Sequence, residues 1–274
     1  MFSIAIRALA QIHNKRVIEM INIQVDDNAD VQKVKEIVLS FNDAGKTYWK
    51  KRNTIKVFNF DEKQWNVKSF KVPHLINRFA YKYIRGSKSK RSFEHGKKIL
   101  SLGILTPKPI GYVEYSNVIG LEESFYVSEN LNYDLKFENL FDENYPDRVN
   151  LLEQFTEFTY QLHENGIHHF DHSKGNTLMV KKPDGSYDFY LVDLNRMKFE
   201  KMDYQQRIDN FNRLSLTPYM IDVIGSKYAS ITGLYRVNIN AMTTASCAKF
   251  HEFKYRKMRW KKKLGISLAP GSGQ

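Results

Sequence analysis

Four side chains close together in the sequence have the types and spacing of a phosphoryl-transfer site. His169 and Asp171 form an H-x-D, Asn176 stands five residues beyond the Asp, and Asp193 closes an apolar run. Moving a phosphoryl group from ATP to a hydroxyl needs a carboxylate that orients the hydroxyl and takes its proton. It also needs oxygen ligands for the Mg2+ that bridges the phosphates. Asp171 suits the first task, with His169 as support for its loop. Asn176 and Asp193 suit the second. A lone D-x-x-x-x-N says little. Leu162-His163, Gly166-Ile167, H-F-D, Asn176 and L-V-D-L-N in this order say much more. A zinc site from His163, His168 and His169 is the competing use of the stretch, but it lacks cysteine or helical H-x-x-x-H support.

The surrounding pattern can position these groups. Phe155, Phe158, Thr159 and Leu162 recur at helical spacing, and Asn165-Gly166 reads as the helix end. Residues 167–170 read as a short extended segment leading into a loop. Residues 178–180 and 189–192 read as two strands turned by Pro183-Asp184-Gly185.

Upstream, Val31, Val34, Ile37, Val38 and Phe41 predict a helix over 31–41. Residues 47–50, 54–60 and 65–71 then read as three strands. Lys68, between Val67 and Phe70, is the lysine expected to hold the ATP phosphates, with Lys56 and Lys71 as competitors. The basic stretch 87–102 reads as a helix. Its Glu94 either pairs with Lys68 or makes a local i,i+4 ion pair. Two further strands, 110–115 and 124–128, end at Glu129-Asn130-Leu131. Helices are expected over 203–216 and 219–228. Residues 249–263 hold eight Lys or Arg, with Phe250, Phe253, Trp260 and Leu264 on one stripe. That tail reads either as a membrane-surface helix or as a last helix packing its aromatics on the fold.

The catalytic block, the D-L-N and the connection G-I-x-T-P-x-P after residue 102 resemble the bacterial lipopolysaccharide core (Kdo/heptose) kinase family, a branch of the protein-kinase-like superfamily. The likeness spans roughly residues 46–235. It implies an α+β, two-lobed protein-kinase-like fold: a small antiparallel β N-lobe over 47–131 and a mainly helical C-lobe over 132–274, after an extension of residues 1–46. It implies ATP and Mg2+ as cofactors, held near residue 131, with Lys68 and Glu94 on the phosphates. The backbone of Glu129 and Leu131 would pair with adenine, as in a kinase hinge. Asn176 and Asp193 would hold the metal, and Asp171 and His169 would be catalytic.

The acceptor implied is a core sugar of lipopolysaccharide or a lipid-linked precursor, met in the cytoplasm at the inner face of the inner membrane. The alternatives are another acceptor, such as a small alcohol or a protein, and a catalytically silent nucleotide-binding module. Two departures from the wider kinase pattern stand out. The turn expected over the phosphates, residues 48–53, has no glycine pair, and the metal triplet ends in Asn195, a residue that tolerates a left-handed backbone. The activation-loop A-P-E is missing too, which favours a small-molecule or glycolipid acceptor.

Composition sets outer bounds. The 274 residues can hold one two-lobed domain or two small ones. A single cysteine, Cys247, excludes an internal disulfide and suits a reducing compartment. No apolar run is long enough to span a membrane, and residues 1–20 lack the basic start and cleavage site of a signal peptide. They read as a loosely held arm or as a short helical face (Phe2, Ile6, Leu9 and His13) able to touch a membrane. The net charge of +12 calls for an anionic partner. An anionic membrane surface or substrate fits the motifs, and nucleic acid does not.

Overall fold

The structure, a computed structural model, describes residues 4–6, 20–60, 63–72 and 74–263. Most of the expected N-terminal arm, including Phe2, Leu9 and His13, lies outside these residues, as do Asp61-Glu62 and Leu264. Two compact units form: Met1–Tyr133 with Tyr190–Arg196, and Asp134–Phe189 with Met197–Gln274.

The first unit is an antiparallel sheet with three helices. In chain order it contains β1 (Ile4–Ile6), β2 (Met20–Val25), α1 (Val31–Leu39), β3 (Lys46–Lys50), β4 (Thr54–Phe60) and β5 (Lys63–Phe70). It continues with α2 (Leu75–Tyr83), α3 (Lys88–Ser101), β6 (Pro109–Ser116) and β7 (Leu121–Glu129). The strand order is β1-β2-β6-β7-β5-β4-β3. Asp30 caps α1 by accepting from the N–H of Gln32 at 2.8 Å. The apolar stripe of α1 then buries Val34, Ile37 and Val38, with Phe41 just beyond the helix, against Phe58, Val67, Val113, Phe125 and Val127 of the sheet.

Residues 20–46 are therefore not an extension. β2 pairs with β6 from Met20↔Ser116 to Val25↔Gly111, and α1 supplies Val34, Ile37 and Val38 to the core cluster. The sequence hid this because β2 is only partly buried and α1 meets its partners far along the chain. α2 was not expected at all.

The second unit is mainly helical. It holds β8 (Leu135–Lys136), α4 (Arg148–Glu164), β9 (Ile167–His169), β10 (Thr177–Lys181), β11 (Tyr187–Leu191), whose last two residues belong to the first unit, and β12 (Met197–Phe199). It ends with α5 (Tyr204–Asp209), α6 (Pro218–Thr232) and α7 (Arg236–Lys263). Phe155 and Leu162 of α4 are fully buried, and so is Tyr228 of α6. The expected 203–216 helix breaks into α5 and a 3-10 turn at Asn212–Leu214, with Ser215 in the left-handed region at φ 59°. Ile208, Phe211, Leu214 and Leu216 still point inward, as their spacing predicts.

α7 corrects one reading of the tail. It buries Ile239, Thr243, Ser246 and Cys247, and every residue from Glu252 to Lys263 is exposed, Trp260 by 69%. The aromatics Phe253 and Trp260 therefore do not pack on the fold. With eight like charges in the last fifteen residues, that turn of sequence has no buried position to occupy without unpaired charge.

Candidate active site

In the first unit the chemistry gathers on β5. Strand alternation turns Trp65 and Val67 into the core and leaves Lys68 on the other face beside Phe70, its ammonium 5.2 Å from that ring's centre. Lys68 Nζ donates to Asp193 Oδ1 at 2.6 Å, with side-chain exposures of 14% and 28%. The competing lysines are otherwise engaged. Lys56 donates to the carbonyls of Phe41 and Ala44 just beyond α1, and Lys71 faces water.

Asp193 itself stands at φ 58°, a left-handed backbone uncommon for a residue with a β-carbon. The sequence pointed to Asn195 for that conformation. Asn195 instead turns its side chain back, donating Nδ2–H to Asp193 Oδ1 at 2.6 Å. Asp193 Oδ1 thus accepts from two side chains, and the residue also carries local backbone strain.

Glu94 does not join this group. Its partner is Lys90, at 3.8 Å along the same helix, and its side chain is half exposed. The reason is helical phase: Ser89, Ser92, Phe93, Gly96 and Ile99 form the buried face of α3, and position 94 falls outside it. The tie between α3 and the Asp193 segment is His95, whose Nδ1–H donates to the carbonyl of Leu194 at 2.7 Å. Burial pushes the His95 imidazole down, against the bond to Leu194, which favours the protonated ring. Gly96 allows the close approach: a β-carbon there would lie 2.6 Å from Pro109 Cγ.

Lys88, at the first turn of α3, is a cation that the sequence reading missed. Its ammonium lies 5.9 Å from the Phe70 ring that Lys68 also faces. Burial, then the Arg52 guanidinium, pushes its pKa down to about 8. Arg52 comes from the glycine-poor turn of residues 48–53. One lysine among several on a helix gives no sequence signal.

At the expected hinge, the N–H of Glu129 donates to Lys108 O at 2.9 Å and that of Asn130 to Gln64 O at 2.8 Å. Among the described residues, the Leu131 N–H donates to no backbone carbonyl.

In the second unit, the loop after β9 is wound on itself. The carbonyl of Asp171 accepts from the Ser173 N–H at 2.7 Å and from Asn176 Nδ2 at 2.8 Å. That bond commits the amide nitrogen of Asn176 and presents its oxygen, the atom suited to a hard cation. His169 is buried and accepts the Asp171 N–H on Nδ1 at 3.1 Å, which fixes the tautomer with the proton on Nε2. Asp171 Oδ1 accepts from Arg213 Nη1 at 3.0 Å. Arg213 lies on the 3-10 turn, and a lone arginine between Asn212 and Leu214 reads from sequence as solvated surface. It was missed.

The zinc reading fails on geometry. His163 is buried with both ring nitrogens engaged, Nδ1 with Tyr228 Oη at 2.9 Å and Nε2 with Asn210 Nδ2 at 3.2 Å. Among the described residues no group of three or more His, Cys, Asp or Glu is set to hold a metal. His172, fully buried against Phe155, is driven by burial to about 3 and stays neutral.

Comparisons with known proteins bear on the family and the fold. The model of the lipopolysaccharide kinase (Kdo/WaaP) family matches residues 31–235, starting at α1 and so including more of the first unit than the sequence motifs did. No curated protein matches the chain. Among solved structures, a complex described as WaaP with acyl carrier protein is similar at a TM-score of 0.57 and 15% identity. The match covers 86% of this chain and 98% of that one, a likeness of fold. An antiparallel sheet unit followed by a helical unit is the kinase-like α+β fold that the motifs implied. With three quarters of its length inside the match, the chain belongs to the lipopolysaccharide kinase (Kdo/WaaP) family and is a kinase.

Proposed function

We propose that this kinase transfers the terminal phosphoryl group of ATP to a sugar hydroxyl of the lipopolysaccharide inner core. The observation that carries the reading is the 2.6 Å contact of Lys68 with Asp193, a phosphate-binding cation beside a metal-binding carboxylate in a chain of this family. Lys68 holds phosphate oxygens, aided by Lys88 and Arg52. Asp193 in the first unit and Asn176 in the second each offer an oxygen of the kind that suits Mg2+, which when bound would neutralise charge on the phosphates. Asp171, held by Arg213 through Oδ1, orients the acceptor hydroxyl and takes its proton. His169 keeps the Asp171 backbone in place. The Leu131 N–H and the Glu129 carbonyl are the hinge groups for adenine.

Glu94 has no part in this scheme. Lys68→Met should therefore lower turnover by about 10²-fold or more, the scale for removing one preorganised donor. Its thermal melt should stay near that of the parent, while Glu94→Ala should keep both turnover and melt. A steady-state assay beside a melting curve checks the pair. Normal turnover in Lys68→Met would assign the lysine to the surface.

The acceptor places the enzyme in the cytoplasm, peripheral at the inner face of the inner membrane. The exposed basic end of α7 supports that setting, and no helix among the described residues is long and apolar enough to cross a membrane. Each Lys or Arg near an anionic leaflet contributes about 1 kcal/mol, fading beyond a Debye length. Replacing Lys257, Arg259, Lys261, Lys262 and Lys263 with Gln should weaken binding to anionic vesicles and slow transfer to a lipid-linked acceptor. Transfer to a soluble fragment of that acceptor should survive. Equal losses on both would tie the tail to the fold.

A further inference from the structure

Helix α2 is mounted with its polar side on the protein and its apolar side in water. Arg78 holds the β6–β7 connection, donating Nε–H to Leu121 O at 3.1 Å and pairing with the buried Glu122. Lys82 Nζ donates to Asn117 O at 2.6 Å, and Tyr83 Oη–H to Val118 O at 3.1 Å. The turn receiving these bonds is itself tied, with Asn117 Oδ1 accepting the N–H of Ile119 at 2.9 Å. Gly120 lets it meet the helix backbone, since a β-carbon there would lie 2.5 Å from the Arg78 carbonyl. Among the described residues α2 buries none of its own.

The opposite face is a continuous apolar stripe. Leu75, Ile76 and Phe79 follow helical spacing and are exposed, Ile76 by 86%, and the Tyr83 ring lies beside Phe79 at the edge of the stripe while its hydroxyl belongs to the anchored side. Ile84 extends the stripe at 74% exposure, and Val118 and Ile119 stand exposed on the turn bonded to the helix. A stripe of this kind normally faces a core. Held outward by a set of hydrogen bonds, it marks a contact surface.

The charge around it selects the occupant. Residues 64–93 contain eight Lys or Arg and no Asp or Glu. Exposed Lys71 and Arg85 flank the stripe at its two ends. Aliphatic and aromatic side chains in a basic, acid-free surround are the composition of an element that lies in a bilayer interface. A second copy of the chain fits poorly, because an isologous contact would set these basic groups against each other.

We infer that α2 and the 117–120 turn insert into the headgroup region of an anionic bilayer, a contact made by the first unit independently of the basic tail. The setting rests on the glycolipid acceptor proposed above; the binding itself does not. It brings the first unit to the surface that carries a lipid-linked sugar.

The test uses the full chain and vesicles of phosphatidylethanolamine with phosphatidylglycerol. Because Cys247 is buried and is the one native cysteine, Ile76→Cys can be labelled there with an environment-sensitive fluorophore. Its emission should shift to the blue when vesicles are added. The triple substitution Ile76→Ser, Phe79→Ser and Ile84→Ser should reduce vesicle affinity by about tenfold or more, since three large apolar side chains leave the interface. Its melting curve should be unchanged, because all three are exposed. Vesicle binding with no spectral shift at position 76 overturns the inference. So does self-association of the parent chain that the triple substitution abolishes. Binding is read without catalysis, so a chain that inserts but transfers no phosphate would remove the kinase scheme and leave this contact standing.

Discussion

Asp193→Asn should abolish magnesium-dependent ATP turnover while leaving the fold intact. Asparagine tolerates the left-handed backbone that residue 193 adopts and can still accept from Lys68, so what it removes is the charge that holds the metal. Asp193→Ala should lose turnover equally and also lower the melting temperature. Alanine at φ 58° costs ~1 kcal/mol in backbone strain. It also leaves the largely buried Lys68 ammonium without its carboxylate. The contrast between the two variants separates metal binding from structural support. Wild-type turnover in the asparagine variant would remove Asp193 from the metal site.

Asp171→Ala should retain nucleotide binding and lose transfer by about 10²-fold or more, the range for losing a positioned general base. Nucleotide affinity by fluorescence titration and single-turnover transfer separate the two effects. Arg213 offers an internal check. It touches Asp171 through one carboxylate oxygen, so Arg213→Met should slow transfer in the same direction by a smaller factor, with nucleotide affinity unchanged. A loss of nucleotide affinity in Asp171→Ala, with normal transfer at saturation, would put this residue in binding and not in proton transfer.

What the sequence made legible were the features with local signatures. The helix ending at Asn165, the extended segment to His169 and the two strands that follow could be placed from helical period, alternation and turn residues alone. Val67 and Phe70 marked Lys68 as a strand residue flanked by core positions, and the strand is found over Lys63–Phe70. Features decided by distant contacts were not legible. Residues 20–46 looked detached because β2 finds its partner β6 some ninety residues later. Glu94 looked like the partner of Lys68 because an acid on a basic helix attracts that reading. The buried positions 92, 93, 96 and 99 already carry the phase that turns it outward. Arg213 depends on a break between α5 and the next turn that no glycine or proline announces at that point. α2 was not read from the sequence, and it differs from the other helices in having its polar side anchored.

The most direct measurement is transfer of γ-labelled phosphate from ATP to purified inner-core glycolipid, with the product resolved by mass spectrometry. The expected result is one added phosphate on a core sugar, dependent on magnesium and absent with Asp171→Ala and Asp193→Asn. Label that appears on protein or on a small alcohol and never on the glycolipid, or glycolipid labelling that survives both substitutions, would contradict the assignment.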